Sequence, residues 1–422
     1  MAQLSDDCFA FGGDLMRTDE ALALLARTLS CVTEAEPVPL SIGAGRILAE
    51  DVVSPHDVPP HNNAAVDGYA VFFDDLDPTG ETVLPVVGRA TAGHPLQGLA
   101  QRGTAVRVFT GARMPEGPDT VMMQEDCRIE HDTAGERVIL RPGLKRGANW
   151  RQRGEDMAAG STVLTRGMRL RPQDIGQAAA VGRREVLVSQ PLRVALFSTG
   201  DELRQPGDPL PDGCIYDSNR YILMALLSGF GCRVDDLGIV PDSADALRDA
   251  LAGAEPGHDL IVTSGGVSVG EEDHVKAAVE ALGRLNFWRL AIRPGRPLAL
   301  GQVGRVPFAG LPGNPVAVMV TAMTILRPMI VRLMGGTGLT PQRFRVAADF
   351  TYDKKKSRRE WLRAHLVDGG EAGWRAVKFP RDGAGILSSM VQADGLIELP
   401  EDLTRLEPGT MVDFLPFSEL YA

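Results

Sequence analysis

Three features of the sequence predict a multidomain α/β plus β fold: a central doubly wound parallel α/β domain, a β-rich inserted domain before it, and a small C-terminal β-barrel after it. At 422 residues the chain is too long for one hydrophobic core. Between Leu192 and Leu326 strand and helix patterns alternate, which builds a parallel sheet covered by helices. On either side of that region the pattern is short apolar runs separated by Gly, Pro and Asp, as in small β domains. With 44% hydrophobic and 23% charged residues the chain is ordinary for a folded protein. The formal charge of −11, from 44 basic and 55 acidic residues, argues against a nucleic-acid partner, because no net positive field attracts a phosphate backbone. Cys8, Cys31, Cys127, Cys214 and Cys232 form no CxxC pair, so neither a disulfide scaffold nor a zinc cluster is expected, and the compartment reads as reducing cytoplasm. Asp6, Asp7 and Asp14 interrupt any signal-peptide pattern. The most apolar helix candidate, Val316 to Leu326, is too short for the ~30 Å of a membrane core, so no membrane partner is expected.

In chain order, Thr18 to Ser30 places Leu22, Leu25, Ala26 and Leu29 on one face and Asp19 and Glu20 in the first turn, an amphipathic helix. From about Pro37 to Leu140 come the β runs Val52-Val53, Tyr69 to Phe72, Leu84 to Val87, Ala105 to Val108, Thr120 to Met123 and Val138 to Leu140. Among them, Asn62 to Tyr69 is a polar turn entering a strand, and Thr110-Gly111-Ala112 closes another. Such loops are ordinary turns unless they face a ligand. Arg151 to Asp156 mixes two guanidinium groups with two carboxylates, which on spacing alone describes a solvated turn with internal ion pairs. Arg171 to Gly182, opened by Pro172 and rich in Ala, is a short helix.

The α/β region is organised around His258 to Lys276. Leu260 to Thr263 form a buried strand that ends in Ser264-Gly265-Gly266, and a helix pattern begins beyond Gly270. Glycines let a backbone approach a ligand closely, and the free N–H groups of a helix start suit a phosphate. The acids that follow, Glu271, Glu272 and Asp273, either complement the helix dipole or, beside a phosphate, call for a hard cation such as Mg²⁺. Around this unit, Val194 to Ser198 and Arg233 to Ile239 are strands, Asp217 or Ser218 caps a helix running to Gly229, and Ser243 caps a helix to Leu251. Ligands of such a sheet bind at the carboxyl ends of its strands. Two further loops lie there, Ser198 to Leu203 and Gly310 to Pro315, the latter with Asn314 as N-cap and Pro315 opening a helix. Arg289, Arg293 and Arg296 add positive charge in a Gly/Pro loop between the anion-binding loops. Arg332 to Pro341 is a flexible boundary by composition, and Phe344 to Val346, Trp361 to Val367, Leu396 to Leu399 and Met411 to Leu415 are barrel strands. The basic run Lys354 to Arg359 reads as a solvated face.

The stretches NNAAVDGYAV, TGARMP, RQRGED, FSTGDEL, DSNRYIL, TSGGVSVGEEDHVK, AIRPGRP and AGLPGNPVAV, in that order from residue 62 to 318, resemble the molybdopterin molybdenumtransferase family, the MoeA proteins and the E-domain of gephyrin. The resemblance spans essentially the whole chain. It implies an N-terminal helix (15–34) packing on the α/β domain, a connecting domain (35–53 and 154–183), a β-rich second domain (54–153), a molybdopterin-binding-like α/β domain (184–335) and a barrel (336–422), assembled as a homodimer with a cleft shared between subunits. It further implies insertion of molybdate into adenylylated molybdopterin with release of AMP, in the last step of molybdenum cofactor biosynthesis. Implied partners are the adenylylated pterin, molybdate, the adenylyltransferase that makes the pterin nucleotide, and apo-molybdoenzymes.

Residue by residue, the resemblance places Asp67, Asp156, Glu202, Asp242 and Asp273 on acidic positions tied to activity, with Glu202 and Asp273 holding Mg²⁺. It places Thr110 and Arg151 on cleft loops, Gly265, Gly266 and Ser268 beside Ser264 on the pterin-phosphate loop, and Pro312, Gly313 and Pro315 on the helix-start loop. Arg293 and Arg296, with Arg289, Arg358 and Arg363 as further cations, gather charge for molybdate. The sequence departs from the family where Arg293 and Arg296 replace Lys, and where Ala317 and Ala384 stand for Ser, leaving Ser388 or Ser389 to supply the hydroxyl. The alternatives are a non-catalytic pterin-binding or scaffold protein and a molybdopterin adenylyltransferase, whose known form is a single α/β domain.

Overall fold

The computed structural model describes residues 15–133, 135–266, 274–338 and 340–421. The chain divides into two compact units, one of Met1–Glu50, Arg166–Arg171 and Glu185–Ala422, the other of Asp51–Thr165 and Pro172–Arg184.

The larger unit begins with helix α1 (Thr18–Thr28), whose Ala21, Leu24 and Leu25 are buried in a core shared with Leu326 and Ile330. Its central sheet contains β1 (Arg193–Thr199), β2 (Arg233–Val240), β3 (Leu260–Ser264), β4 (Gly283–Arg289), β5 (Pro297–Val303) and β6 (Val306–Leu311), in the order β2-β1-β3-β6-β5-β4. The first four strands are parallel, and β5 and β4 complete the sheet antiparallel. Side chains alternate across β1: Val194 and Leu196 enter one core cluster, Ala195 and Phe197 the cluster on the opposite face. That two-sided burial explains why the strand reads as an unbroken apolar run. Helices α2 (Asn219–Gly229), α3 (Ala244–Ala254) and α4 (His274–Leu282) connect the strands. Of the two cap residues expected for α2, it is Asp217 that accepts from the Arg220 N–H, at 3.2 Å, whereas Ser218 makes no side-chain cap bond. Ser243 caps α3 by accepting from Ala246, at 3.4 Å.

The helical run after β6 is longer than expected. It extends through Arg327 and Pro328 for 19 residues, Pro315–Leu333, with a widened π turn over Ala322–Leu326. That turn directly precedes Pro328, whose missing N–H and ring displace the regular ladder. The run is long and apolar enough to cross a membrane, but 94% of its most apolar window is buried inside the protein, as in a core helix. Asn314 occupies the N-cap position without a side-chain cap bond.

Five strands, β7 (Phe344–Ala348), β8 (Arg359–Asp368), β9 (Trp374–Lys378), β10 (Gly395–Leu399) and β11 (Met411–Pro416), close a barrel through the pairings β8–β9–β7–β11–β10–β8. The two-residue strand Ile292–Arg293 pairs in parallel with Arg359–Glu360 and so ties the loop after β4 to the barrel edge. The basic run is only in part a solvated face: Lys355 and Lys356 are exposed, but its two ends are buried. Lys354 is 6% exposed and donates to the carbonyls of Arg358 and Glu401, and Arg359 pairs with Asp19, Glu398 and Glu401.

The smaller unit carries a six-stranded sheet in the order Thr120–Met123, Gly68–Val71, Ala105–Val108, Thr82–Ala90, Gly135–Leu140, Cys127–Asp132, and the helix Pro172–Ala180.

Candidate functional site

Two of the glycines read as an anion loop are required by backbone geometry. Gly265 and Gly266 have φ of +88° and +65°, and a Cβ on Gly265 would lie 2.5 Å from the Thr199 carbonyl oxygen. The chain can therefore leave β3 only with glycine there. This turn lies beside the ends of β1, β2 and β6, and the four ends form one wall of a cleft of about 800 Å³ lined by Thr199, Gly200, Glu202, Asp242, Gly265, Gly266, Pro312, Gly313 and Asn314. The opposite wall comes from Arg293 to Gly295, from the barrel residues Tyr352, Trp361, Leu362 and Arg363, and from the loop Asp382 to Ala384.

Of the residues singled out from the sequence, Glu202, Asp242, Gly265, Gly266, Arg293, Pro312 and Gly313 line this cleft. Ser264 is 2% exposed and donates to the Pro312 carbonyl at 3.4 Å. Pro315 is the first residue of the helix that follows the Pro312-Gly313 turn. Arg296 is exposed and is not among the lining residues. Arg289 ends β4. Ser268 and Asp273 lie outside the described residues, as do Glu271 and Glu272.

The cations expected for molybdate differ in how they are paired. Arg293 Nη1 donates to the Tyr352 hydroxyl at 3.2 Å and lies 3.6 Å from Glu360, which is fully buried and also binds Arg358 Nε at 2.6 Å. The Tyr352 hydroxyl donates to the same carboxylate at 2.7 Å, and burial together with that carboxylate raises its pKa above the usual phenol range. Arg293 and Arg358 thus share the single carboxylate of Glu360. Arg363 makes no such ion pair. It is 5% exposed, its Nε donates to Ser389 Oγ at 3.0 Å, its Nη2 donates to the carbonyls of Arg381 and Gly383, and among the described residues it pairs with no carboxylate. Burial pulls its pKa down, opposed by the Asp382 carboxylate, which lines the same cleft without forming an ion pair with it. Ala317 and Ala384 both line the cleft. Of the two serines expected to compensate, Ser388 is exposed and outside the lining, and the Ser389 hydroxyl holds Arg363 and donates to the Ile386 carbonyl at 2.6 Å.

Glu202 and Asp242 face this anion-binding space without a Lys or Arg partner among the described residues; Asp242 Oδ1 accepts only from Thr199 Oγ1, at 3.4 Å. Carboxylates placed beside a site for phosphates repel the ligand unless a hard cation lies between them, so this donor set fits Mg²⁺. The described residues contain no cluster of three or more His, Cys, Asp or Glu that would hold a metal on its own. That is expected of an ion completed by substrate oxygens.

In the smaller unit, backbone bonds bring three separated motifs together. The Ala64 N–H donates to the Ala112 carbonyl, the Gly111 N–H to the Ala64 carbonyl, and Arg151 pairs with Asn63. Asp67 Oδ1 accepts from both the backbone and the hydroxyl of Thr110, each at 2.8 Å, which lowers its pKa below the usual carboxylate value. The ion pairs of the 151–156 loop are not internal as expected: Arg153 Nε pairs with Asp57 at 2.5 Å, and the Asp156 N–H donates to the Val58 carbonyl. Asp67, Thr110, Arg151 and Asp156 are thereby placed on one set of interlinked loops.

Sequence reasoning missed Thr199, Tyr352, Trp361 and Asp382. Trp361 opens a strand pattern, where an aromatic residue reads as core, and Tyr352 stands in a polar stretch between Thr351 and Asp353; only long-range packing brings both to the cleft.

Residues 16–182 match the MoeA N-terminal region (domain I and II), residues 195–332 a "Probable molybdopterin binding domain" and residues 345–417 the MoeA C-terminal region (domain IV). The chain is 37% identical over 409 residues to the molybdopterin molybdenumtransferase of Haemophilus influenzae, covering 96% of this chain and 100% of that protein. It is 36% identical over 399 residues to the molybdopterin molybdenumtransferase of Nostoc sp., covering 91% of this chain and 89% of that protein. A crystal structure of the molybdopterin biosynthesis moeA protein from Pyrococcus horikoshii OT3 superimposes with a TM-score of 0.81 at 28% identity, covering 96% of this chain and all of that one.

Proposed function

The chain belongs to the molybdopterin molybdenumtransferase family of molybdenum cofactor biosynthesis, and on that premise we propose that it inserts molybdate into adenylylated molybdopterin with release of AMP. The observation that carries this reading is the juxtaposition, across one cleft of about 800 Å³, of two glycine-containing loops and a buried arginine that makes no ion pair among the described residues.

In this reading the phosphates of the pterin nucleotide rest on the Gly265-Gly266 and Pro312-Gly313 loops, whose backbone can approach them closely. Molybdate, a tetrahedral dianion, meets the Nη1 N–H groups of Arg363, whose Nε and Nη2 are held by Ser389 and two carbonyls in a fixed orientation. Arg293 adds positive charge that Glu360 already offsets. Glu202 and Asp242, with Asp273 of the sequence motif that follows Gly266, would hold Mg²⁺. Once bound there it neutralises phosphate charge and polarises the phosphoanhydride for attack by water or a molybdate oxygen. The attacking oxygen bonds to phosphorus, the bridging P–O bond breaks, and AMP leaves.

The reading also includes a homodimer in which Asp67, Thr110, Arg151 and Asp156 serve turnover alongside the α/β residues, in the reducing cytoplasm to which the free thiols of Cys31, Cys127, Cys214 and Cys232 are suited. The test is AMP release from adenylylated molybdopterin, with and without molybdate, by protein whose mass is checked by light scattering. Molybdate should stimulate release in wild type and not in Glu202→Gln. Binding of the nucleotide without any release would make the protein a pterin-binding scaffold, and a mass of one chain would remove the dimer.

A further inference from the structure

The DSNR tetrapeptide, Asp217 to Arg220, lies at the start of α2 and lines no part of the cleft, yet through Asn219 it touches two of the loops that do. The paired strands β3 and β6 hold each other as far as Ser264 and Leu311, beyond which their loops separate. Past that last pair the Gly265 N–H donates to the Leu311 carbonyl at 3.3 Å, the Ser264 hydroxyl donates to the Pro312 carbonyl at 3.4 Å, and the Asn219 amide reaches both loops from outside. Asn219 Nδ2 donates to Ser264 Oγ at 3.0 Å and to the Gly313 carbonyl at 2.7 Å. Because a carbonyl only accepts, the second bond fixes which end of the amide faces the loops; Asn219 Oδ1, on the other end, is buried without a donor. The amide is held from behind. Arg220, 1% exposed, binds Asp217 Oδ2 at 3.1 Å and also pairs with Asp236 and Gln205, and the Ile215 N–H donates to the Glu202 carbonyl at 2.8 Å.

We infer that Asn219 is a positioning residue whose amide sets the spacing between the Gly265-Gly266 loop and the Pro312-Gly313 loop, so that a ligand with linked phosphates is read by both loops at once. The inference rests on the proposed reading that a phosphate-linked pterin nucleotide occupies the cleft. A ligand that reaches across both loops feels their spacing; a single phosphate does not. Removing the two bonds in Asn219→Ala should weaken binding of adenylylated molybdopterin roughly tenfold to a hundredfold, the range expected for two neutral hydrogen bonds. Binding of AMP, which needs one loop, should change by less than about threefold.

Asn219→Asp keeps the size and a bond from the Ser264 hydroxyl but sets a carboxylate against the Gly313 carbonyl, so it should not restore the pterin affinity. Equilibrium titrations of both ligands against wild type, Asn219→Ala and Asn219→Asp, with melting temperatures alongside, decide the matter. A selective loss of the linked ligand in both variants supports the positioning role. Equal losses of both ligands, no loss of either, or full affinity in Asn219→Asp would overturn it. Failure of wild type to bind the pterin nucleotide at all would instead overturn the functional reading, a separate outcome.

Discussion

Arg363 and Arg296 show how far a single residue can be read from sequence. Both are arginines in the C-terminal half, and the Pro/Gly setting of Arg296 made it the stronger candidate for molybdate. In the folded chain Arg296 is exposed and outside the cleft lining, whereas Arg363 lines the cleft, is 5% exposed and pairs with no carboxylate among the described residues. Each charge-assisted hydrogen bond of such a group contributes about 1.5–3 kcal/mol net. Arg363→Ala should therefore raise the molybdate concentration for half-maximal AMP release by roughly ten- to a hundredfold, with Arg363→Lys intermediate because it keeps the charge and loses the fork. Arg296→Ala should have a smaller effect. A molybdate dependence unchanged in Arg363→Ala would remove this residue from the oxyanion site. What separates the two arginines is burial and placement in the cleft, and neither follows from local sequence. Topology alone placed the Ser198 to Leu203 loop, with Glu202, at a strand's carboxyl end, whereas Asp242 was pointed to only by the family resemblance.

Among elements, strands and helices of the α/β unit were legible because their periodicity matches their burial, and β1 and β3 lie close to where their apolar runs place them. The two anion loops were also legible as loops, but not in their difference. Gly265 has φ +88° and a carbonyl 2.5 Å from any added Cβ, whereas Gly313 has no heavy atom within 4 Å of such a Cβ. Gly265→Ala should cost at least about 1–2 kcal/mol from the left-handed backbone alone, with the displacement of Thr199 in addition. Gly313→Ala should stay within about 0.5 kcal/mol, as an ordinary surface substitution does. Denaturant unfolding of the two variants measures this directly, and a Gly265→Ala protein as stable as Gly313→Ala would contradict the geometry. The basic run Lys354 to Arg359 escaped the sequence reading for a related reason. Its partners Asp19, Glu398 and Glu401 lie far along the chain, so a charge run whose ends are buried reads the same as one wholly in water.

At the scale of the whole molecule, composition and alternation sufficed for the fold class and the α/β sheet, but left the C-terminal β domain open between a barrel and a sandwich, which the strand pairings resolve as a closed barrel. The cleft itself was not legible, because its walls come from segments more than a hundred residues apart: Glu202 and Asp242 on one side, Tyr352 to Arg363 on the other. Only the resemblance to a known family pointed to such a meeting, and it did not single out Tyr352 or Trp361. Asp67, Thr110, Arg151 and Asp156 belong to the other compact unit, where backbone pairing gathers them from motifs spread over about ninety residues. The central claim, that this chain loads molybdenum onto an adenylylated pterin, is tested most directly by reconstituting an apo-molybdoenzyme with purified chain, adenylylated molybdopterin, Mg²⁺ and molybdate. The account predicts that enzyme activity appears with all components and falls to background when the chain is omitted or replaced by Glu202→Gln. Activity that arises equally without the chain, or that never exceeds background with it, would contradict the account.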